Sequence, residues 1–178
     1  MADYTIEEFC DRHDACRSGR EWALANCESM QDAWDRLKPE WLLWVATRLG
    51  VLTNKELRRT AVYCARRAEH FMTDASSKAA IAVAERHIND EATDEELAAA
   101  YVAAEAVVRA ADGKNPEAYA AAEAAEGVAE EIAWVAAWVT AWAAAEAVET
   151  DAAEASAWEA LSVFLRENTK PNFTKGTA

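Results

Sequence analysis

The chain has few of the residues that break helices. Its 178 residues include five glycines and three prolines, which leaves little turn chemistry for an all-β fold and excludes a collagen-like chain. Its four cysteines are too few and too unevenly spaced for a disulfide framework. We therefore expect free thiols, as in a cytosolic protein.

Long hydrophobic runs are also missing. The longest uncharged apolar stretch is 132–145, with 14 residues, whereas a membrane span needs about 20. The first residues, MADYTIEEF, lack the basic start and apolar core of a secretory signal. These features predict a soluble, cytoplasmic protein with no membrane partner.

Large aliphatic residues are scarce, and alanine takes their place. Leucine, isoleucine, valine and phenylalanine together number 30, against 44 alanines. Eight tryptophans supply bulk that a disordered chain rarely carries. Because alanine has the best helix propensity, we predict an all-α fold: an array of short helices followed by alanine-rich stacked helical hairpins, in one compact or solenoid-like domain.

Three regions differ in composition within that single domain. Residues 1–75 are mixed, 76–167 are alanine-rich and acidic, and 168–178 read as an extended tail whose Phe173 could dock on the helices. Ser or Thr followed three residues later by Glu is typical of a capping box. This pattern marks starts at Thr5, Ser18, Thr53 and Thr93. Predicted helices lie near 6–16, 19–28, 31–37, 39–49, 54–73, 76–89, 94–112, 116–126, 128–148 and 151–167.

Positive charge is absent from one long stretch. Residues 1–90 have a net charge of −2 and residues 91–178 one of −12. The acidic stretch, residues 115–165, holds ten carboxylates and no lysine or arginine. Phosphates would be repelled by such a surface, so we predict no direct nucleic-acid partner and expect a basic protein.

The acidic stretch supplies the candidate partner-binding residues. Spread over two adjacent helices of about 25 residues each, its carboxylates would give one charge per roughly 3.7 Å of length, about half the charge density of duplex DNA. That density attracts a basic groove without mimicking DNA closely. The alternative is a solvated face that keeps an alanine-rich protein soluble. The predicted binding residues are Glu123, Glu126, Glu130, Glu131, Glu146, Glu149, Asp151 and Glu154.

A tryptophan stripe follows the same stretch. Trp134, Trp138 and Trp142 recur every four residues, which places them on one side of a helix. Core packing explains such a stripe in most proteins. The functional alternative is an apolar interface for a partner or a homodimer, since tryptophan is enriched at interface hot spots.

No arrangement in the sequence indicates catalysis. The chain has no glycine-rich phosphate loop and no nucleophile with a base at motif spacing. Cys10, His13 and Cys16 form the one cluster of ligand-type residues, but zinc needs four converging ligands. We predict no enzyme activity, no cofactor and no metal, with a metal site at this cluster as a remote alternative.

One pattern resembles a known family. The segment VYCARRAEHFMTD (62–74), followed by 77–79, 82–86 and 92–97, is similar to the Imm-5-like immunity family of bacteria and phages. Segments 19–23, 50–58 and 165–173 look similar to the phage members. The resemblance implies a helical protein that binds and neutralises a toxin, and no functional residue carries over.

The sequence thus leaves three functions open. The first is an acidic inhibitor of a basic nucleic-acid-handling protein, such as a nuclease or CRISPR effector, in phage counter-defence. The second is an immunity protein with a cognate toxin, and the third is a self-associating structural protein.

Overall fold

The described part of the chain is helical. The computed structural model describes residues 2–72, 74–110 and 151–175. Within these ranges the chain forms eight α-helices, one short 3-10 helix and no β-strand, which confirms the predicted all-α fold. The α-helices are α1 (Ile6–Arg12), α2 (Arg17–Asn26), α3 (Met30–Arg36), α4 (Pro39–Ala46), α5 (Asn54–Ala68), α6 (Ala75–Ile88), α7 (Asp94–Ala110) and α8 (Asp151–Asn168), and the 3-10 helix is Glu69–Phe71.

Helix starts agree with the sequence where a capping box forms. Thr5 and Glu8 exchange side-chain and backbone hydrogen bonds at 2.9 and 3.2 Å, and Thr93 and Glu96 repeat the arrangement. The box predicted at Ser18 is wrong. Cys16 already has the extended backbone of an N-cap residue, so α2 begins at Arg17 without a side-chain cap.

The observed ends of the helices differ more from the sequence-based prediction than their starts do. α1 ends at Arg12, before the predicted residue 16. Asp14 adopts a left-handed conformation with φ of 52°, and the Ala15 N–H donates to the Cys10 carbonyl at 3.0 Å, which closes a Schellman motif. The helices predicted near 116–126 and 128–148 lie outside the described residues.

The chain divides into two compact units. The first contains Met1–Thr53 and Ser162–Ala178, and the second contains Asn54–Leu161. α8 therefore contributes its first part to the second unit and its last part to the first.

Aromatic side chains fill the core of the first unit. Phe9 and Trp34 are almost fully buried, together with Leu42 and Leu43 of α4. Phe173, from the segment after α8, packs edge-on against Phe9 and Trp34, with ring centroids 6.0 and 6.2 Å apart. A few large side chains therefore supply the apolar volume that the sequence lacks in leucine and isoleucine.

The segment after α8 is held by backbone hydrogen bonds. The Tyr4 N–H donates to the Phe173 carbonyl at 2.9 Å, and the Asn172 N–H donates to Val51 at 2.8 Å. The Lys175 ammonium donates to Glu8 at 2.7 Å. The two ends of this unit are thereby joined side by side, with a single bridge between Asp3 and Thr174.

Arg166 joins α8 to the end of α3. Its guanidinium donates to the carbonyls of Trp34 and Leu37, at 3.3 and 2.5 Å, and to the Ser162 hydroxyl at 3.2 Å. The last carbonyls of a helix have no partner within the helix. Arg166 therefore satisfies orphan acceptors that would otherwise face the core.

Alanine sets the packing in the second unit. Ala80 and Ala84 of α6 and Ala104 of α7 are fully buried, and Ile81 lies with them. α6 and α7 pack together as a helical hairpin, because small side chains let the two backbones approach closely. The Tyr63 hydroxyl of α5 donates to the Ala160 carbonyl of α8 at 3.3 Å.

Candidate acidic interface

Two of the eight predicted binding residues lie within the described ranges. Asp151 is the first residue of α8, and Glu154 follows one turn later. The other six carboxylates and the three stripe tryptophans lie outside the described residues. These are Glu123, Glu126, Glu130, Glu131, Glu146, Glu149, Trp134, Trp138 and Trp142. The predicted tryptophan interface accordingly stays a prediction.

Glu154 is fixed by a neighbouring indole. The Nε1–H of Trp158 donates to its Oε1 at 3.3 Å, across one helical turn. Trp158 is 5% exposed and anchors α8 in the second unit, whereas Glu154 is half-buried. One carboxylate oxygen therefore has a structural partner, and the charge is held close to the surface of the helix.

A second acidic feature extends from the end of α6 into the first turn of α7. Five carboxylates occur within residues 90–96, here called the acidic corner: Asp90, Glu91, Asp94, Glu95 and Glu96. All five residues are exposed. Asp90 adopts a left-handed conformation with φ of 62°, and the Glu91 N–H donates to Arg86 at 2.8 Å, which closes α6 with a second Schellman motif.

The acidic corner was not predicted as a site, although the sequence shows it as five carboxylates in seven residues. Cations of the same unit partly neutralise it. Lys55 lies 3.4 Å from Asp90, and Arg86 lies 3.3 Å from Glu96. The corner is therefore less negative than its sequence indicates.

His87 links the acidic corner to α5. The Arg58 guanidinium lies 2.8 Å from His87 Nδ1, and His87 Nε2 lies 2.8 Å from an Asp94 carboxylate oxygen. Because a guanidinium can only donate, Nδ1 must accept and the imidazole proton must sit on Nε2. This hydrogen-bond chain connects α5, the end of α6 and the start of α7.

The residues that carry the family resemblance have structural partners. Val62, Cys64, Ala65 and Ala68 are buried in α5. Arg66 donates to both carboxylate oxygens of Glu85, at 2.8 and 2.5 Å, and to Glu69 at 2.8 Å. The residues that carry the resemblance therefore pack together and form ion pairs within the second unit.

The hydrogen bonds between Arg66 and Glu85 shift the pKa values of both groups in the directions that favour their charged forms. The hydrogen bonds from Arg66 lower the pKa of Glu85, and those from Glu85 raise the pKa of Arg66. Both groups are partly exposed, so we assign the pair a role in orientation rather than a large share of stability.

The cysteine–histidine cluster is spread over two environments. Cys10 is buried, and burial raises the pKa of its thiol, while Cys16 is exposed. A hydrogen bond with the Ser18 hydroxyl, followed by one from the Gly19 backbone, lowers the pKa of Cys16. Among the described residues, no three His, Cys, Asp or Glu side chains converge as a metal-binding set.

Comparison with known proteins returns no match: no family model, no curated protein and no solved structure aligns with the chain. Among the helices that the structure describes, none has the length and apolarity to cross a membrane. Function must therefore be argued from the chain's own charges and geometry.

Proposed function

We propose that this chain is an acidic, non-enzymatic helical protein that inhibits a basic nucleic-acid-handling protein. The observation that carries the proposal is the acidic stretch, in which ten carboxylates occur without one lysine or arginine. Proteins that hold DNA or RNA line their grooves with cations. An acidic helical surface is attracted to such a groove and can occupy it in place of the nucleic acid.

The paired cations of the second unit support this proposal. Lys55, Arg66, Arg86 and Arg109 each form an ion pair with a carboxylate of the same unit. Their charges are thereby neutralised locally. Most of the excess negative charge of the chain therefore lies in the acidic stretch, where it can attract a partner at a distance.

The proposed biological setting is phage counter-defence. A nuclease of a restriction system or a CRISPR effector presents a basic groove of the required kind. At about half the charge density of DNA, the chain would act as a partial nucleic-acid mimic, with shape and apolar contacts supplying the remaining affinity. It would not bind nucleic acid itself.

Phage plating tests the proposal directly. We expect cells that carry an active restriction or CRISPR system to lose protection when they express the chain, so that the plating efficiency of a targeted phage rises by at least tenfold. The triple variant Glu146→Gln, Glu149→Gln, Glu154→Gln should abolish the effect. Glutamine at 154 keeps an oxygen that can accept from Trp158.

A matched variant controls for net charge. Glu21, Glu28 and Asp35 are exposed carboxylates of the first unit, and Glu21→Gln, Glu28→Gln, Asp35→Asn removes the same charge. This control should retain full activity. Equal losses in the two triple variants, or unchanged plating with the wild-type chain against all such systems, would contradict the proposal.

Salt dependence tests the mechanism with a purified partner. Electrostatically steered association slows as ionic strength rises, because exposed charges are screened over about 8–10 Å. We expect the affinity to fall by about tenfold between 50 and 200 mM salt. An affinity that does not change over this range would rule out the charge mechanism.

The resemblance favours one alternative, an immunity protein that caps the active site of a toxin. In that case one cognate toxin should be neutralised in co-expression, and the carboxylate variant at 146, 149 and 154 should still protect. Loss of protection on replacing an exposed tryptophan would then identify an apolar binding centre.

A further inference from the structure

A cavity of about 180 Å³ opens on the first unit. Its lining includes the aromatic rings of Tyr4 and Phe9, together with Arg12 and His13 at the end of α1. Its volume lies below the roughly 300–1,000 Å³ of sites that enclose a drug-sized molecule. The cavity therefore suits one small acid or a single terminal residue.

Positive charge collects around this cavity in a chain with a net charge of −14. Arg12 lies over the Tyr4 ring at 5.8 Å, and Arg48 lies over the Trp44 ring at 4.8 Å. Within the described ranges, neither arginine forms an ion pair with a carboxylate. The nearby Lys175 is paired with Glu8.

The charges around His13 shift the pKa of its imidazole. Its ring packs on Phe9 with centroids 4.5 Å apart. Burial lowers the pKa of His13, the charges of Arg12 and Arg48 lower it further, and Asp14 opposes them. A carboxylate placed here would meet net positive charge and relieve the repulsion between these groups.

The turn at residues 48–51 adds apolar side chains to the cavity lining. The Val51 N–H donates to the Arg48 carbonyl at 3.1 Å, closing a four-residue turn in which Gly50 has φ of 83°. Gly50 makes this conformation possible because a side chain would strain it. Leu49, at the tip of the turn, is 93% exposed, while Val51 is buried behind it.

We propose that this cavity binds a short apolar carboxylate. The carboxylate lies against Arg12 and His13, and the branched apolar part contacts Leu49 and the aromatic rings of the lining. Asn172, which also lines the cavity, supplies an amide donor. The ligand is either a free small acid or the terminal residue of a peptide, and this site is independent of the proposed acidic interface.

NMR titration of the full chain tests the proposal. Isovalerate should produce saturable shifts at His13 and Leu49 with a Kd of roughly 1–10 mM. Isovaleramide has the same shape without the charge, and we expect it to bind at least tenfold more weakly. Isovalerate should also raise the pH midpoint of the His13 ring signals, because a bound anion favours the imidazolium.

Two peptides distinguish the sources of the ligand. A pentapeptide that ends in a leucine carboxylate should bind more tightly than isovalerate if the ligand is a chain terminus, and no more tightly if it is a free acid. The same peptide with an amidated end should lose binding in either case. Equal binding of the acid and amide forms would overturn the proposal.

Arg12→Gln should weaken isovalerate binding by at least fivefold, whereas Arg12→Lys should retain part of the affinity. Arg109 is an exposed arginine of the second unit, so Arg109→Gln serves as the matched control and should leave binding unchanged. Absence of saturation up to 50 mM isovalerate, or wild-type affinity in Arg12→Gln, would also refute the site.

Discussion

Removing the Phe173 ring tests whether the segment after α8 is part of the first core. Phe173 is 7% exposed and packs edge-on against Phe9 and Trp34. A buried phenylalanine replaced by alanine costs about 3–5 kcal/mol, and each edge-on aromatic pair contributes about 0.5–1.5 kcal/mol of that loss.

The expected loss for Phe173→Ala lies at the lower end of this range. A cavity of about 260 Å³ borders Phe173 beside Tyr4 and Met30, so its surroundings can rearrange more easily than a closed core can. We expect the free energy of unfolding to fall by about 3 kcal/mol. Urea titration followed by tryptophan fluorescence, which senses Trp34, and by circular dichroism measures it.

Two further variants make this prediction specific. Phe173→Leu keeps most of the apolar volume and should lose no more than about 1.5 kcal/mol. Leu49→Ala changes a residue that is 93% exposed and should change stability by less than about 0.5 kcal/mol. A loss below about 1 kcal/mol for Phe173→Ala would show that the segment does not anchor the core.

Three other predictions concern single side chains. Arg166→Met removes three hydrogen bonds and should lower the free energy of unfolding by about 2–3 kcal/mol in urea titration, while Arg166→Lys should retain part of it. The Lys175 ammonium, followed by the backbone at the helix start, lowers the pKa of Glu8 from 4.5 to about 2. Its stabilising contribution is therefore present above pH 4.5 and lost as the pH falls towards 2. The stability difference between wild type and Glu8→Gln should vanish near pH 2, and a constant difference would contradict this assignment. Cys16 is exposed with a lowered pKa, whereas burial raises the pKa of Cys64 to about 12. Ellman's reagent should accordingly modify Cys16 first and Cys64 only after unfolding.

Several features of the fold follow from local sequence alone. The helix starts at Thr5 and Thr93 depend on residues three positions apart, so the capping pattern predicts them correctly, whereas the same pattern at Ser18 does not begin a helix. The high alanine content favours helix at every position. The end of α1 was predicted less well, because Asp14 ends this helix in a left-handed conformation that is usually taken by glycine.

The two candidate sites, the acidic stretch and the carboxylate cavity, also differ in how far the sequence predicts them. The charge of the acidic stretch is a property of composition, and no folding information is needed to find it. The carboxylate cavity, in contrast, combines residues from the first helix, the turn at 48–51 and the segment after α8. No motif spacing connects these three parts of the chain.

The sequence by itself determined the helical class, the main helix starts and the location of the negative charge. All three depend on residues that are neighbours in the chain. Only the tertiary structure decided that Phe173 enters a core built by Phe9 and Trp34, and that Arg166 caps the end of α3. The physical reason is distance along the chain. These partners are more than 100 residues apart in the sequence. No periodic sequence pattern connects them, and they come into contact only when the chain folds back on itself.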